Sequence, residues 1–165
     1  MDRLNEQFSE IYDQYVDKIY RFVYLKVNSQ EIAEDITSKV FTRGWESYKT
    51  QPIENINAFL YQIARNAVVD HYREKGRTKI VSAENNPNLI DLGTSAHDKA
   101  ILSADMENVK LAISKIKKDY QDVIIWHYVN GMEVPEIAQI MEKPQGTVRV
   151  MLHRGLKELK NVIKS

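Results

Sequence analysis

The sequence predicts an all-α protein: two small helical domains joined by a flexible linker, with a helix-turn-helix in the C-terminal domain. Three observations predict it. Helix formers are plentiful, and only 6 Gly and 4 Pro occur among 165 residues, so few points break a helix. Apolar residues recur at three- and four-residue steps over both ends of the chain. Between those ends, from Gly76 to about Ala100, the periodicity fails. The first domain is expected over residues 4–77, the linker over 78–104 and the second domain over 105–163.

Each element follows from its local pattern. Leu4, Phe8, Ile11, Tyr12, Tyr15, Ile19, Phe22 and Val23 form one apolar stripe, predicting a long helix that ends near Asn28-Ser29. A second helix is expected from about Gln30 to Tyr48, with Ile32, Ile36, Val40, Phe41 and Trp45 inward. Pro52 and its polar neighbours predict a loop. Asn57 is expected to cap a third helix through about Glu74, with Phe59, Leu60, Ile63, Ala64 and Val68 inward. Asn85-Asn-Pro-Asn and Gly93-Thr-Ser read as linker. Helical pattern returns near Asp105 with Val109, Ile113 and Ile116, and a further helix follows Asp119 with Val123, Ile124 and Trp126. Asn130-Gly131 reads as its left-handed cap.

The last third carries the most specific pattern. With Val134 as the first position, Ile137, Met141, Val148 and Met151 fall at positions four, eight, fifteen and eighteen, and Ala138 is the small residue where two helices touch. That is the spacing of a helix-turn-helix, whose second helix lies in the DNA major groove. Thr147 stands near the start of that helix, and Arg149, His153 and Arg154 occupy its polar positions.

Composition narrows the function classes. There are no cysteines, which excludes disulfides and thiolate metal sites and suits a reducing, cytoplasmic setting. No long apolar run and no signal-peptide pattern is present, so no membrane insertion is expected. The four histidines are dispersed without paired-ligand spacing, and no phosphate-cradling loop or nucleophile motif occurs. No catalytic residue, metal or cofactor is therefore expected. Net charge is zero, yet it is segregated. Residues 1–35 and 80–109 are each net −4, whereas 60–79 are net +3 and 143–165 net +5. Two basic blocks separated by an acidic one match two DNA-contacting surfaces, or ordinary surface fluctuation.

Arg65, Asn66, Asp70 and Arg73 interrupt the third helix with polar groups at helical spacing, and Lys75, Arg77 and Lys79 follow. Trp45, Tyr48, Phe59 and Tyr61 lie nearby in sequence. Two readings stand: cations tracking phosphates while rings stack on the bases of a single strand, or core aromatics beside solvated charges.

The order of segments resembles a family. Ala33-Glu-Asp with Val40-Phe41 and Trp45, then Ile63-Ala-Arg-Asn with Asp70, resemble the second domain of bacterial sigma factors. Glu136-Ile-Ala, Gly146-Thr-Val-Arg and Leu152-His-Arg resemble their fourth. With no room for the other domains, the chain is similar to the small extracytoplasmic-function class of the sigma-70 family. The resemblance implies that Glu34, Asp35, Ser38 and Phe41 bind the clamp coiled coil of RNA polymerase core, and that the C-terminal domain meets its flap. It implies that the helix bearing Arg65, Asn66, Asp70 and Arg73 reads and melts the minus-ten element. The helix with Thr147, Arg149, His153 and Arg154 would read the minus-thirty-five element of promoter DNA. An anti-sigma factor is an expected further partner.

The sequence also departs from the resembled pattern. Ser38-Lys39 replaces Gln-Glu, Lys118 replaces a Pro, Glu142 stands where a turn Gly is favoured, Pro144 replaces a capping Ser, and Val150-Met151 replaces Ser-Arg. The readings that compete with a sigma factor are a stand-alone helix-turn-helix regulator, a recombinase subunit and a helical adaptor. The sequence gives no plausible Ser or Tyr nucleophile with clustered Arg for the second, and the basic blocks argue against the third.

Overall fold

The computed structural model describes residues 2–27, 29–79 and 107–164, and every regular element in them is helical. The chain divides into two compact units, residues 1–93 and 94–165. The linker expected over 78–104, with its acidic residues, lies outside the described residues apart from its first two positions. Those two are helical, because the third helix continues to Lys79.

The first unit is built from α1 (Asp2–Lys26), α2 (Gln30–Thr50) and α3 (Ile56–Lys79), each packed against the other two. The α1 stripe delivers Phe8, Ile19, Phe22 and Val23 to the core. Tyr12, expected inward with them, is largely exposed and only lays its ring edge-on against Phe41, centroids 4.9 Å apart. It stands at the rim of the stripe, where a phenol can keep its hydroxyl wet. Ser29 starts α2 by accepting from the Ile32 N–H at 3.1 Å, and this capping separates α1 from α2.

The third helix begins differently from the expectation. Asn55, not Asn57, caps it: its Oδ1 accepts from Ala58 N–H at 3.0 Å, and its carbonyl accepts from Phe59 N–H at 3.0 Å. Both asparagines have the right chemistry, but only Asn55 precedes the first helical residue, Ile56. Leu60, Tyr61, Ala64, Ala67 and Val68 are buried, while Phe59 and Ile63 are only half-buried. Gly44 marks the crossing of α2 and α3. A Cβ there would sit 2.9 Å from Leu60 Cδ2, and Leu60 is itself fully buried.

In the second unit α4 occupies residues 107–114 of the described chain. Its inward face is Lys110, Ala112 and Ile113. Val109, expected inward, is exposed. The apolar pattern is too short here to fix the phase of the helix, and Lys110 takes an inward position in place of Val109. α5 (Lys118–Ile124) runs into a π-helical stretch, Ile125–Val129, with Asn130 N–H donating to Ile125 O at 3.0 Å. Gly131, at φ +73°, ends it, as the Asn-Gly pair predicts. α6 (Val134–Met141) and α7 (Gln145–Lys164) follow.

Candidate functional site

The helix-turn-helix is assembled by the residues its spacing named. Ile137, Ala138, Met141, Val148 and Met151 are all buried, and Val134 is half-buried. Pro135 lies in the first turn of α6, where its missing N–H costs nothing. Glu136 Oε1 reaches back to accept from Glu133 N–H at 3.1 Å. The turn closes with Glu142 in the left-handed region (φ 56°, ψ 46°) and Lys143 N–H donating to Ala138 O at 3.1 Å. A glycine takes that conformation without the Cβ clash, so Glu142 holds local strain. Gly155 lets α7 approach α5: a Cβ there would be 3.0 Å from Tyr120 Cβ and 3.1 Å from Ile124 Cγ1.

This packing fixes which side of α7 is free. Thr147, Arg149, His153 and Arg154 are all exposed. Arg149 Nη2 donates to Gln145 Oε1 at 3.3 Å, one helical turn back. Among the described residues none of Arg149, His153 and Arg154 has a carboxylate partner, and α7 has no acidic residue before Glu158. The face is a cationic row on a helix anchored from behind. Val150 and Met151 both stand where the resembled pattern has Ser-Arg. The structure separates them: Met151 is core, whereas Val150 is 46% exposed among the donors.

The first unit carries two further polar faces. Glu34, Asp35 and Ser38 are exposed on α2, but Phe41 is only 5% exposed. It is reached instead from a groove of about 630 Å³ between α1 and α2. Tyr12, Val16, Asp17 and Tyr20 line the α1 side, and Glu34, Thr37, Ser38, Phe41, Thr42 and Trp45 the α2 side. Glu34, Ser38 and Phe41 are thereby brought together. Asp35 is not among the lining residues, and its carboxylate meets Lys39 Nζ at 3.2 Å, one turn on. Burial, with the nearby Glu34 carboxylate adding to it, raises the Tyr20 phenol above its ordinary value.

On α3, Asn66, Asp70 and Arg73 are exposed along one face, and Arg73 Nη1 lies 3.9 Å from Asp70 Oδ1. Arg65 is half-buried. Val69, between Asn66 and Asp70 on that surface, is exposed as well. Tyr72 donates its hydroxyl to the Lys26 carbonyl, tying the end of α3 to the end of α1. His71 is half-buried, and its pKa is lowered first by burial and then by Lys75 and, from α2, Lys39, with Glu74 opposing. Of the aromatics, Tyr61 is fully buried, edge-on to Phe22 at 6.2 Å, so it is a core residue and cannot stack on a base. Trp45 and Tyr48 pack on Phe8, with centroids 5.3 and 5.5 Å away, and both are half-buried, with Lys49 Nζ over the Trp45 ring at 5.7 Å.

Among the described residues no cluster of metal-ligating side chains occurs, and no helix is long and apolar enough to cross a membrane.

Two sequence profiles match the two units separately. Sigma-70 region 2 matches residues 11–78, and Sigma-70 region 4 matches residues 106–159. The chain belongs to the sigma-70 family, in its extracytoplasmic-function class. It is 28% identical over 169 residues to the ECF RNA polymerase sigma factor SigW of Bacillus subtilis, covering 96% of this chain and 90% of that one. It is 26% identical over 160 residues to the ECF sigma factor BldN of Streptomyces coelicolor, covering 96% of this chain but 61% of the relative's length. Its fold resembles that of the sigma factor RpoE from Bartonella quintana, solved with the anti-sigma factor NepR. That likeness has a TM-score of 0.77 at 21% identity and covers 96% of this chain and 98% of the other. In the matched regions the α2 and α3 faces fall within region 2, and the α7 row within region 4.

Proposed function

We propose that this chain binds RNA polymerase core and directs promoter-specific initiation of transcription, acting in the cytoplasm and catalysing no reaction itself. The observation that carries the reading is the pairing of the two matched regions with two differently built surfaces in one chain. A groove with Glu34, Ser38 and Phe41 around it suits a protein partner, because apolar ring surface is bordered by a few charges. The coiled coil of the polymerase clamp is the partner assigned to it. Arg149, His153 and Arg154, with Thr147 at the helix start, suit a duplex, where a helix enters the major groove and cations meet phosphate and base edges. The α3 face of Asn66, Asp70 and Arg73, with Arg65 beside it, is assigned to the separated strand of the minus-ten element. Trp45 and Tyr48 are the rings nearest in character to a stacking surface. The polymerase flap is assigned to the second unit. An anti-sigma factor is the expected regulator, since the RpoE of similar fold was solved with one.

The test is reconstitution. The purified chain should bring core polymerase to discrete start sites preceded by two shared sequence elements. Binding to duplex DNA with no association with core would instead make it a stand-alone helix-turn-helix regulator.

A further inference from the structure

The free face of α7 has at its centre a side chain that can make no hydrogen bond. Gly146, Arg149, Val150 and His153 follow the three- and four-residue steps that place them on one side of the helix. Val148, Met151 and Leu152 point the other way and are buried, which holds the rotation of the helix fixed. Val150 is 46% exposed. Its neighbours one turn away are Gly146, Thr147, His153 and Arg154. Gly146 brings no side chain, and a Cβ added there would meet nothing within 4 Å. Arg149 is drawn back along the helix to Gln145. A surface laid against α7 therefore reaches the isopropyl group of Val150 over Gly146, with the small side chain of Thr147 beside it.

A single exposed valine on a helix is ordinary. This one is set apart by its surroundings: donors and cations on every side, and no carboxylate between residues 143 and 157. Such a face is built to meet an acceptor-rich surface, and an apolar group at its middle is useful only if that surface presents an apolar group in turn. The major groove presents one, the 5-methyl of thymine. We propose that Val150 is a specificity-determining residue that packs on the 5-methyl group of a thymine, so that the chain selects a T·A pair at a position its donors leave unread. The proposal rests on reading α7 as a major-groove helix. It also explains the discrimination. A G·C pair in that place would put an acceptor or an amino group against the valine, desolvated and unanswered.

The experiment uses the full chain with core polymerase and a duplex library randomised across the upstream promoter region. One copy of the library is synthesised with dTTP and another with dUTP, which lacks only the 5-methyl group. Wild type should enrich a T·A pair at one position from the first library, and a single T-to-U exchange there should weaken binding roughly fourfold, the effect of one buried methyl. Val150→Ser, at an exposed site, should keep its helical circular dichroism and bind the thymine and uracil duplexes equally. Arg149→Ala should bind more weakly yet retain the thymine-over-uracil ratio. If a sequence is selected but wild type ignores the methyl, or Val150→Ser discriminates as wild type does, the valine contact is overturned while duplex reading by α7 stands. If neither library yields any selected sequence, both are overturned.

Discussion

The polar faces of the two units differ in how their charges are held. On α2 and α3 three of the exposed charges expected at the sites have partners along their own helices: Asp35 with Lys39, Asp70 with Arg73, and Glu34 with the amide of Gln30 at 3.2 Å. On α7 the exposed cations have no acid to meet among the described residues. Exposed i,i+4 pairs contribute little to stability, about 0.3–0.5 kcal/mol each. Their consequence here is that these particular charges are already partly answered on their own helices, so a partner must recognise the face by shape and by a few well-placed groups. An uncompensated row attracts any phosphate backbone, and selects among sequences only through what lies between its cations. One chain thus carries a groove bordered by a few charges and, separately, a row of cations with no acid beside it among the described residues.

The largest expected effect breaks the first surface. Glu34→Arg places a cation in the α1–α2 groove, and disrupting a desolvated charge contact there should weaken core binding by about 2–5 kcal/mol. Asp35→Arg should cost less, because that carboxylate lies outside the groove and already meets Lys39. Titration of each variant with labelled core polymerase reads both. Equal losses would remove the groove from the account and return the role to the outer face of α2.

The second effect breaks the other surface. Arg149→Ala should weaken promoter duplex binding by about 1–3 kcal/mol if the guanidinium meets a base edge, and relax preference at one upstream position. It should leave core binding unchanged. A uniform loss on every duplex, with a shallower dependence on salt, would mark Arg149 as a phosphate contact. Arg154→Ala, compared with it, sorts the row into readers and anchors.

Much of this contrast was legible beforehand, and the reason lies in periodicity. Ile137, Ala138, Met141, Val148 and Met151 are buried where a helix-turn-helix spacing puts them, since five positions over two helices leave one rotation for each. Long stripes such as Phe8, Ile19, Phe22 and Val23 fixed α1 for the same reason. Reading failed where a single residue had to be placed without such a run. Tyr61 and Tyr12 are chemically alike, yet one is core and the other rim, and only packing against Phe22 and Phe41 tells them apart. Val109, expected inward, is exposed on a helix described over only two turns, and Lys110 is buried beside it. The groove itself was invisible in the sequence, because its two walls lie on different helices. Val150 was visible only as a missing donor, and its exposure turns that absence into a candidate contact.

A smaller effect concerns the turn that sets the angle of the cationic row. Glu142→Gly should relieve the left-handed strain and stabilise the second unit by about 0.5–1 kcal/mol, offset in part by the entropy glycine adds to the unfolded chain. Thermal unfolding checks the sign. A loss of stability would show that the Glu142 side chain contributes more than its backbone strain costs.

The smallest effect is confined to the first unit. His71 has a pKa lowered in the folded state, so the unfolded chain binds its proton more readily. Stability from this group therefore rises with pH through the window between its depressed folded value and the ordinary value near 6.5, and it is lost as pH falls through that window. His71→Gln should flatten that part of the stability profile and leave it unchanged above neutrality. A profile as steep in the variant as in wild type would assign the acid sensitivity to another group.

The central claim is that one chain joins a polymerase-docking surface to a promoter-reading one, and run-off transcription with purified core on a genomic fragment library tests it most directly. The account predicts transcripts from a small set of start sites, each preceded by two shared elements, abolished by Glu34→Arg through lost core binding and weakened by Arg149→Ala with core binding intact. Transcripts unchanged by adding the chain, while the chain still binds duplex DNA alone, would contradict it.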